Sequence, residues 1–357
     1  MMTRSLRPAA LFGAVALFAT ALVAGPVNAN TDANFVNGVD VSNHQNTGGE
    51  TPIDWNAVKG DNQRFAFIKA TEGTDFTDKS FHKFAQEAAD TGLSVGAYHF
   101  ARPARDASAQ AHHFSNVVNT GPQTALPPVL DLEVDEDLSP KELQDWTRTF
   151  LQIVESETGR TPIIYTYRYF WEEKMGGTEE FSNYPLWLAA WQNKAPRPVG
   201  GWDKVDIWQR SDNGRISGIN TPVDTNMFNG NQGQFARFSA GELNATGGVL
   251  EQFQDTKIES EISDSLEVLE KNNTALVAAI LGLTTGIVEG QQVEDAAKTF
   301  GFDAQDARNI ADTARIQVEN GELPVEDLNN MMLDSEYSVG DLLILLDNAN
   351  NQQGSSE

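Results

Sequence analysis

Cysteine is absent from the 357 residues, so no disulfide can staple the fold and no thiol can carry a lipid anchor. Stability must come from a packed core, for which 40% hydrophobic residues is ample. Bases are scarce: 25 Lys and Arg against 51 Asp and Glu leave a net charge of −26, which argues against nucleic acid and against attraction to anionic membranes. The five histidines do not form a metal centre. His112 and His113 are neighbours on a helix and face different ways, and His44, His82 and His99 lack ligand-like spacing. A glycine-rich phosphate loop and a nucleophile elbow are also missing, so no cofactor is implied.

The deficits are uneven. Residues 1–240 hold 28 acids and 20 bases, whereas residues 241–357 hold 23 acids and 5 bases, and all seven tryptophans lie in the first part. Two physically different domains are expected, with a seam in the Gly/Asn/Gln/Ser-rich stretch at 229–248. At the amino terminus Arg4 and Arg7 precede an apolar run over 8–27 and the small-residue site Val27-Asn28-Ala29. That pattern predicts an export leader over 1–29, and Gly25-Pro26 argues against its serving as an uncleaved anchor. The expected division is a leader at 1–29, a first domain at 30–237, and a linker with an acidic helical domain at 238–357.

Chemistry concentrates in residues 126–137, L-P-P-V-L-D-L-E-V-D-E-D. Apolar residues surround Asp131 and Glu133, which alternation in a strand places on one face together with Val129. Two acids on one face of an apolar strand suffer desolvation and mutual repulsion, which raises the pKa of at least one and suits a proton donor working near neutrality. Paired carboxylates are also the usual equipment for cleaving glycosidic bonds. An isolated D-x-E is more often merely ion-paired or solvated, but here Ser139, Pro140 and Glu142 form a capping-box signature, followed by Leu143, Trp146, Phe150, Leu151 and Val154 at helical spacing. The acids therefore sit where a strand hands over to a helix, the active-site end of a parallel α/β architecture.

Further strands are predicted at 35–42, 64–72, 93–100, 162–167, 185–191, 205–209 and 223–228. The first five of the eight alternate with helices, one of them capped by Asp54, and the last three are separated by short Gly-, Pro- and Asn-rich intervals. This predicts an irregular (β/α) barrel of about eight strands, with helices mainly after the first five and a helical domain following. The strands deliver polar or aromatic residues at their ends, among them Asp40, Glu72, Tyr98, His99 and Gln209, as a carbohydrate-binding mouth requires.

The segments G-V-D-V-S-N-H-Q with I-D-W, F-A-F-I-K-A-T-E-G, G-A-Y-H-F-A-R-P, P-P-V-L-D-L-E, P-I-I-Y-T-Y, L-W-L-A-A-W, and I-W-Q with V-D-T-N-M-F occur in collinear order. Together they resemble the family 25 glycoside hydrolases, lysozymes that act as N-acetylmuramidases. The resemblance implies an irregular (β/α) barrel that hydrolyses the β-1,4 bond between N-acetylmuramic acid and N-acetylglucosamine, with peptidoglycan glycan strands as the substrate. By motif, Glu133 is the general acid, and Asp131, Asp40 and Asp224 complete an acidic cluster. Tyr165, inward by alternation with Ile163, is either a hydrogen-bond donor to the reacting sugar or an ordinary strand aromatic. Trp191 and Tyr98 are candidates for stacking on sugar rings, and Trp208 is as well suited to the core. The loop at 46–51 is longer and richer in glycine than is usual in the family, which affects one rim. A non-catalytic sugar-binding protein on the same barrel is the alternative, but such a protein would be expected to lose some of the acids, and all four are present.

In the acidic region, helical spacing links Ile258, Ile262, Leu266 and Leu269. Residues 275–288 form an apolar run too short to span a bilayer, and further helical patterns occupy 304–318, 325–333 and the surroundings of 342–346. A bundle about a central apolar helix is expected. Lacking tryptophan and cations, it is poorly suited to hold sugars or anionic polymers, which points to a protein partner or a regulatory contact. On that reading, its removal leaves hydrolysis of soluble fragments nearly unchanged.

Overall fold

Strand β1, Val36–Val41, begins the described structure, a computed structural model that covers residues 35–49, 52–258, 266–334 and 336–351. The expected leader lies outside these residues. The remaining strands are β2, Gln63–Glu72; β3, Phe76–Thr77; β4, Ser94–Phe100; β5, Val129–Asp131; β6, Ile163–Tyr167; β7, Leu186–Ala189; β8, Ile207–Gly214; and β9, Val223–Phe228. Their order is β1-β9-β8-β7-β6-β5-β4-β2-β3, and pairing of β1 with β2 closes eight of them into a barrel, with β3 a short hairpin arm on β2. The ladders are parallel except where β9 meets β1 and β8 and where β3 meets β2. Because β9 runs backwards, the beginning of that strand shares the mouth with the ends of the others.

Helices α1 (Trp55–Gly60), α2 (Phe81–Asp90), α3 (Ala107–Thr120) and α4 (Pro140–Thr158) cover the first half of the barrel, and α5 (Gln232–Ser239) follows β9. The local signals act as their chemistry dictates. Asp54 caps α1 by accepting from the amides of Asn56 and Ala57, Ser139 and Glu142 form the capping box of α4, and Gly159 ends α4 in the left-handed region. After β6 there is only one turn, Phe170–Lys174.

The barrel floor is aromatic and very close-packed. A Cβ on Gly38 would lie 2.4 Å from the Phe65 ring, and one on Gly96 would lie 2.3 Å from the Phe67 ring, so glycine in these strands makes room for phenylalanine opposite. Phe67 in turn stacks on Trp187 at 4.6 Å. Above this dry layer sit the acids.

The carboxyl-terminal part comprises α6 (Thr274–Thr284), α7 (Gly290–Phe300), α8 (Ala304–Asn320), α9 (Val325–Leu333) and α10 (Val339–Asn351). Helix α7 has no counterpart in the sequence reading, since it buries little more than Val293 and Ala297. The apolar helix α6 is not the central one: it buries Leu276, Val277 and Ile280, while Ala275, Ala278 and Thr284 are exposed and Ile287 just beyond is 80% exposed. Helix α10 takes that place, with every residue of 339–346 buried. Of the helix expected around 258–269, residues 259–265 lie outside the described residues, and Glu267–Glu270 is a 3-10 turn. Among the described residues, no helix is long and apolar enough to cross a membrane.

Candidate active site

Asp131 is the last residue of β5, where it pairs with Phe100 of β4 and Tyr165 of β6. Regular strand ends there, but the Leu132 amide still donates to the Tyr165 carbonyl at 3.0 Å, so the chain stays extended and Glu133 follows Asp131 into the mouth. Two left-handed residues, Glu136 and Asp137, with φ of 45° and 65°, then turn the chain towards α4. Such a conformation is uncommon outside glycine. The turn is held by the Glu136 carboxylate, which accepts from the Ala104 amide at 2.8 Å and faces Arg102 at 3.5 Å.

Asp40 and Asp224 are directly opposed in the antiparallel β1–β9 ladder and share a hydrogen bond. Asp40 also accepts from Asn226 Nδ2 at 2.6 Å and Gln209 Nε2 at 3.2 Å. Gln209 Oε1 accepts from Tyr165 Oη and Trp191 Nε1, each at 3.1 Å, and Asn226 Oδ1 accepts from Trp187 Nε1 at 2.8 Å. The ring donors fix which way each carboxamide points, so both amide nitrogens aim at Asp40.

Burial sets the protonation pattern. It pushes Glu133 up to about 8, with the nearby Asp347 adding to the effect. Burial, and then the charge of Glu133, hold Asp131 well above the usual carboxylate range. Asp224 is likewise raised by burial and by Asp40, whereas burial raises Asp40 against the opposing donors Asn226 and Gln209. Two carboxyls in contact do not both ionise readily, so the proton of this pair resides on Asp224, which donates to Asp40. Asp131 Oδ1 is buried and has no hydrogen-bond partner among the described residues. A buried acceptor left open is costly unless a ligand group fills it.

The other predicted residues divide. Tyr98 sits one place before His99 and faces inward, within the field of Asp40, Asp131 and Asp224. His99 must then face outward, which corrects its assignment as a sugar ligand. It is fully buried behind the wall, bonded to Thr71 Oγ1 at 2.8 Å and Gln110 Oε1 at 2.9 Å, and stacked on Phe150 at 4.9 Å. Burial lowers it to about 3, leaving it neutral. Glu72 is at the rim, but its oxygens bind Lys69 at 2.7 Å and Arg102 at 2.5 Å. Burial alone would raise this carboxyl, yet Lys69 and Arg102 outweigh it and hold it at about 2, so Glu72 anchors the rim cations and is not an open sugar acceptor. Trp208 is core, donating to the Ala190 carbonyl. The sequence reading passed over Asn226 and Trp187, although Asn226 is two residues from Asp224 on the same strand face. At the rim formed by 46–51, residues 43–49 coil as a 3-10 segment, and residues 50 and 51 lie outside the described residues.

A closed barrel whose mouth gathers four carboxyls, one of them a proton carrier near neutrality, defines a glycoside hydrolase. The sequence model for glycosyl hydrolases family 25 matches residues 39–219, about half of the chain, and the chain belongs to that family. It is 39% identical over 212 residues to the uncharacterized protein YegX of Escherichia coli K12, covering 58% of this chain and 74% of that one. It is 36% identical over 211 residues to lysozyme M1 of Streptomyces globisporus, covering 56% and 69%. In structure it resembles the bacterial lysozyme from Streptomyces coelicolor with a TM-score of 0.53 and 34% identity, covering 59% of this chain and 99% of that one.

Proposed function

We propose that this enzyme is an exported peptidoglycan hydrolase that cleaves the β-1,4 bond between N-acetylmuramic acid and N-acetylglucosamine, with retention of configuration and assistance from the substrate's own acetamide. The observation that carries this reading is the placing of Glu133 at the barrel mouth beside an Asp131 oxygen that is buried and without a partner among the described residues, with burial raising Glu133 to about 8. Glu133 protonates the glycosidic oxygen as the bond to the anomeric carbon breaks. The acetamide oxygen attacks that carbon, and the acetamide N–H donates to Asp131 Oδ1, which orients the group and, as the carboxylate, stabilises the positive charge of the cyclic intermediate. Glu133, now a carboxylate, takes a proton from water as the water opens the ring. Asp40, locked by Gln209 and Asn226, and Asp224, bonded to Asp40, fix the electrostatic field, while Tyr98 and Trp191 line the sugar path. The proposed organisation is a leader over 1–29, a catalytic barrel over 30–237 and the acidic helical part over 238–357. Incubating the mature protein with purified peptidoglycan is expected to release reducing muramic acid of β configuration at early times. Reducing glucosamine, or an α anomer formed first, would overturn the bond assignment or the acetamide route respectively.

A further inference from the structure

The mouth that a glycan strand must enter is filled by the chain itself. Asp131 is 7% exposed, Glu133 8%, Tyr165 8% and Trp191 5%, values fit for a core and too low for a cleft that grips a polymer. The cover is α10. Near its end, the Asn348 carboxamide lies against Glu133 and Tyr167, its amide nitrogen buried and short of a fully formed hydrogen bond. Asp347 lies within the field of Glu133, Asp212 and Asp224. At the helix start, Gly340 is pressed so closely on the Trp191 carbonyl that a Cβ would come to 2.5 Å from it.

Polar contacts hold the cover on the rim. Asp327 of α9 accepts from Tyr169 Oη at 2.9 Å and pairs with Lys174 at 2.7 Å. Tyr337 Oη lies 3.2 Å from both the Glu172 and Glu173 carboxylates, which share its one proton, and its ring meets Tyr169 edge to face at 5.1 Å. Glu270 accepts from the Asn193 amide at 3.2 Å and pairs with Lys194 at 3.3 Å. The loops after β6 and β7 are thus both strapped to the acidic helices, while the helix tip brings a carboxylate to a pocket already crowded with carboxyls. Rim contacts favour closure and the tip opposes it, a balance that suits a cover able to leave.

We infer that the acidic carboxyl-terminal helices are an autoinhibitory cap, with α10 occupying the substrate path of the barrel and glycan binding requiring its displacement. The inference rests on the proposed catalytic reading for the identity of the substrate, though not for the closure itself. It replaces the expectation that loss of the acidic region leaves hydrolysis unchanged: the cap restrains the enzyme, so weakening it raises activity.

The full chain without substitution gives the first test. On saturation with the tetramer of N-acetylglucosamine, the amides of α10 lose protection from hydrogen exchange if sugar and helix compete. Unchanged or increased protection with sugar bound would overturn the inference. Two variants give the second test: Gly340→Phe, which clashes with the Trp191 carbonyl, and Glu270→Lys/Asp327→Lys, which sets cations against Lys194 and Lys174 in the partly buried contact between rim and cover and leaves the apolar positions of the helices unchanged. Each is expected to raise kcat/KM on soluble glycan fragments about tenfold and, in a Glu133→Gln background, to tighten binding of the tetramer about tenfold, as follows when the open fraction rises tenfold. Folded variants with unchanged binding and unchanged rates would overturn the cap. Tighter binding without hydrolysis in any form would retain the cap and defeat the muramidase reading.

Discussion

Replacing Gln209 with leucine tests whether the carboxamide network holds the acids in working order. The native side chain accepts from Tyr165 Oη and Trp191 Nε1 at 3.1 Å and donates to Asp40 at 3.2 Å, and all of these groups are buried. Leucine fills a similar volume but leaves two ring donors without acceptors, at about 1–3 kcal/mol each, and removes one of the donors to Asp40, while Asn226 remains. The loss is about 3–5 kcal/mol, which lowers the melting temperature by about 6–20 °C in a domain of this size. With Asp40 less restrained, kcat is expected to fall about tenfold to a hundredfold while KM changes little. Gln110→Leu is the control. Gln110 bonds His99 at 2.9 Å and the Arg102 amide at 3.0 Å behind the barrel wall, so it should cost comparable stability and leave kcat intact. Thermal unfolding and initial rates on soluble glycan fragments measure both. If Gln209→Leu kept full turnover, or if Gln110→Leu lost as much, the network would be merely structural.

In the free, covered enzyme Glu133 keeps its proton up to about pH 8, so kcat/KM should decline as pH rises through that value, and Asp347→Asn should move this alkaline limb to lower pH because it removes a charge that helps keep Glu133 protonated; the alkaline limb of kcat, read with the helix displaced, should not move, and pH–rate profiles of both decide. Since the folded value of Glu133 lies above the ordinary 4.5, the folded state retains a proton that the unfolded chain releases, and stability falls as pH rises from about 4.5 to about 8. Glu133→Gln should therefore be more stable than the parent at pH 9, with the difference shrinking below pH 5 in chemical denaturation. His99→Phe should lower the melting point by taking away the buried partner of Thr71 Oγ1 and one of the two donors to Gln110 Oε1, while KM for glycan stays unchanged; a weakened KM with intact stability would restore His99 as a sugar ligand.

The barrel was legible because alternation, caps and glycine stops are local. The P-P-V-L-D-L-E segment declared a strand with two acids, and Ser139, Glu142 and Gly159 declared the helix after it. The reversal of β9 was not legible, since Val223–Phe228 reads the same in either direction and only its neighbours β1 and β8 fix its sense. The four acids were found through their motifs. Asn226 was missed because a carboxamide announces no chemistry on its own, although its place two residues after Asp224 puts it on the same face. His99 was assigned inward because both residues at a strand end were credited, whereas the pleat admits only one, and Tyr98 takes it. In the acidic region, apolarity alone selected α6 as central. The burial of α10 depends instead on two surfaces, the helices on one side and the barrel mouth on the other, and the second could not be seen from a run of leucines.

The central claim is that Glu133 transfers the proton that breaks the glycosidic bond. Its most direct test is the initial rate of Glu133→Gln on purified glycan strands, measured beside the parent with circular dichroism to verify the fold. A fall of about 10²–10⁴-fold is predicted, the range that a positioned general acid contributes; a folded Glu133→Gln that hydrolyses within tenfold of the parent would contradict it.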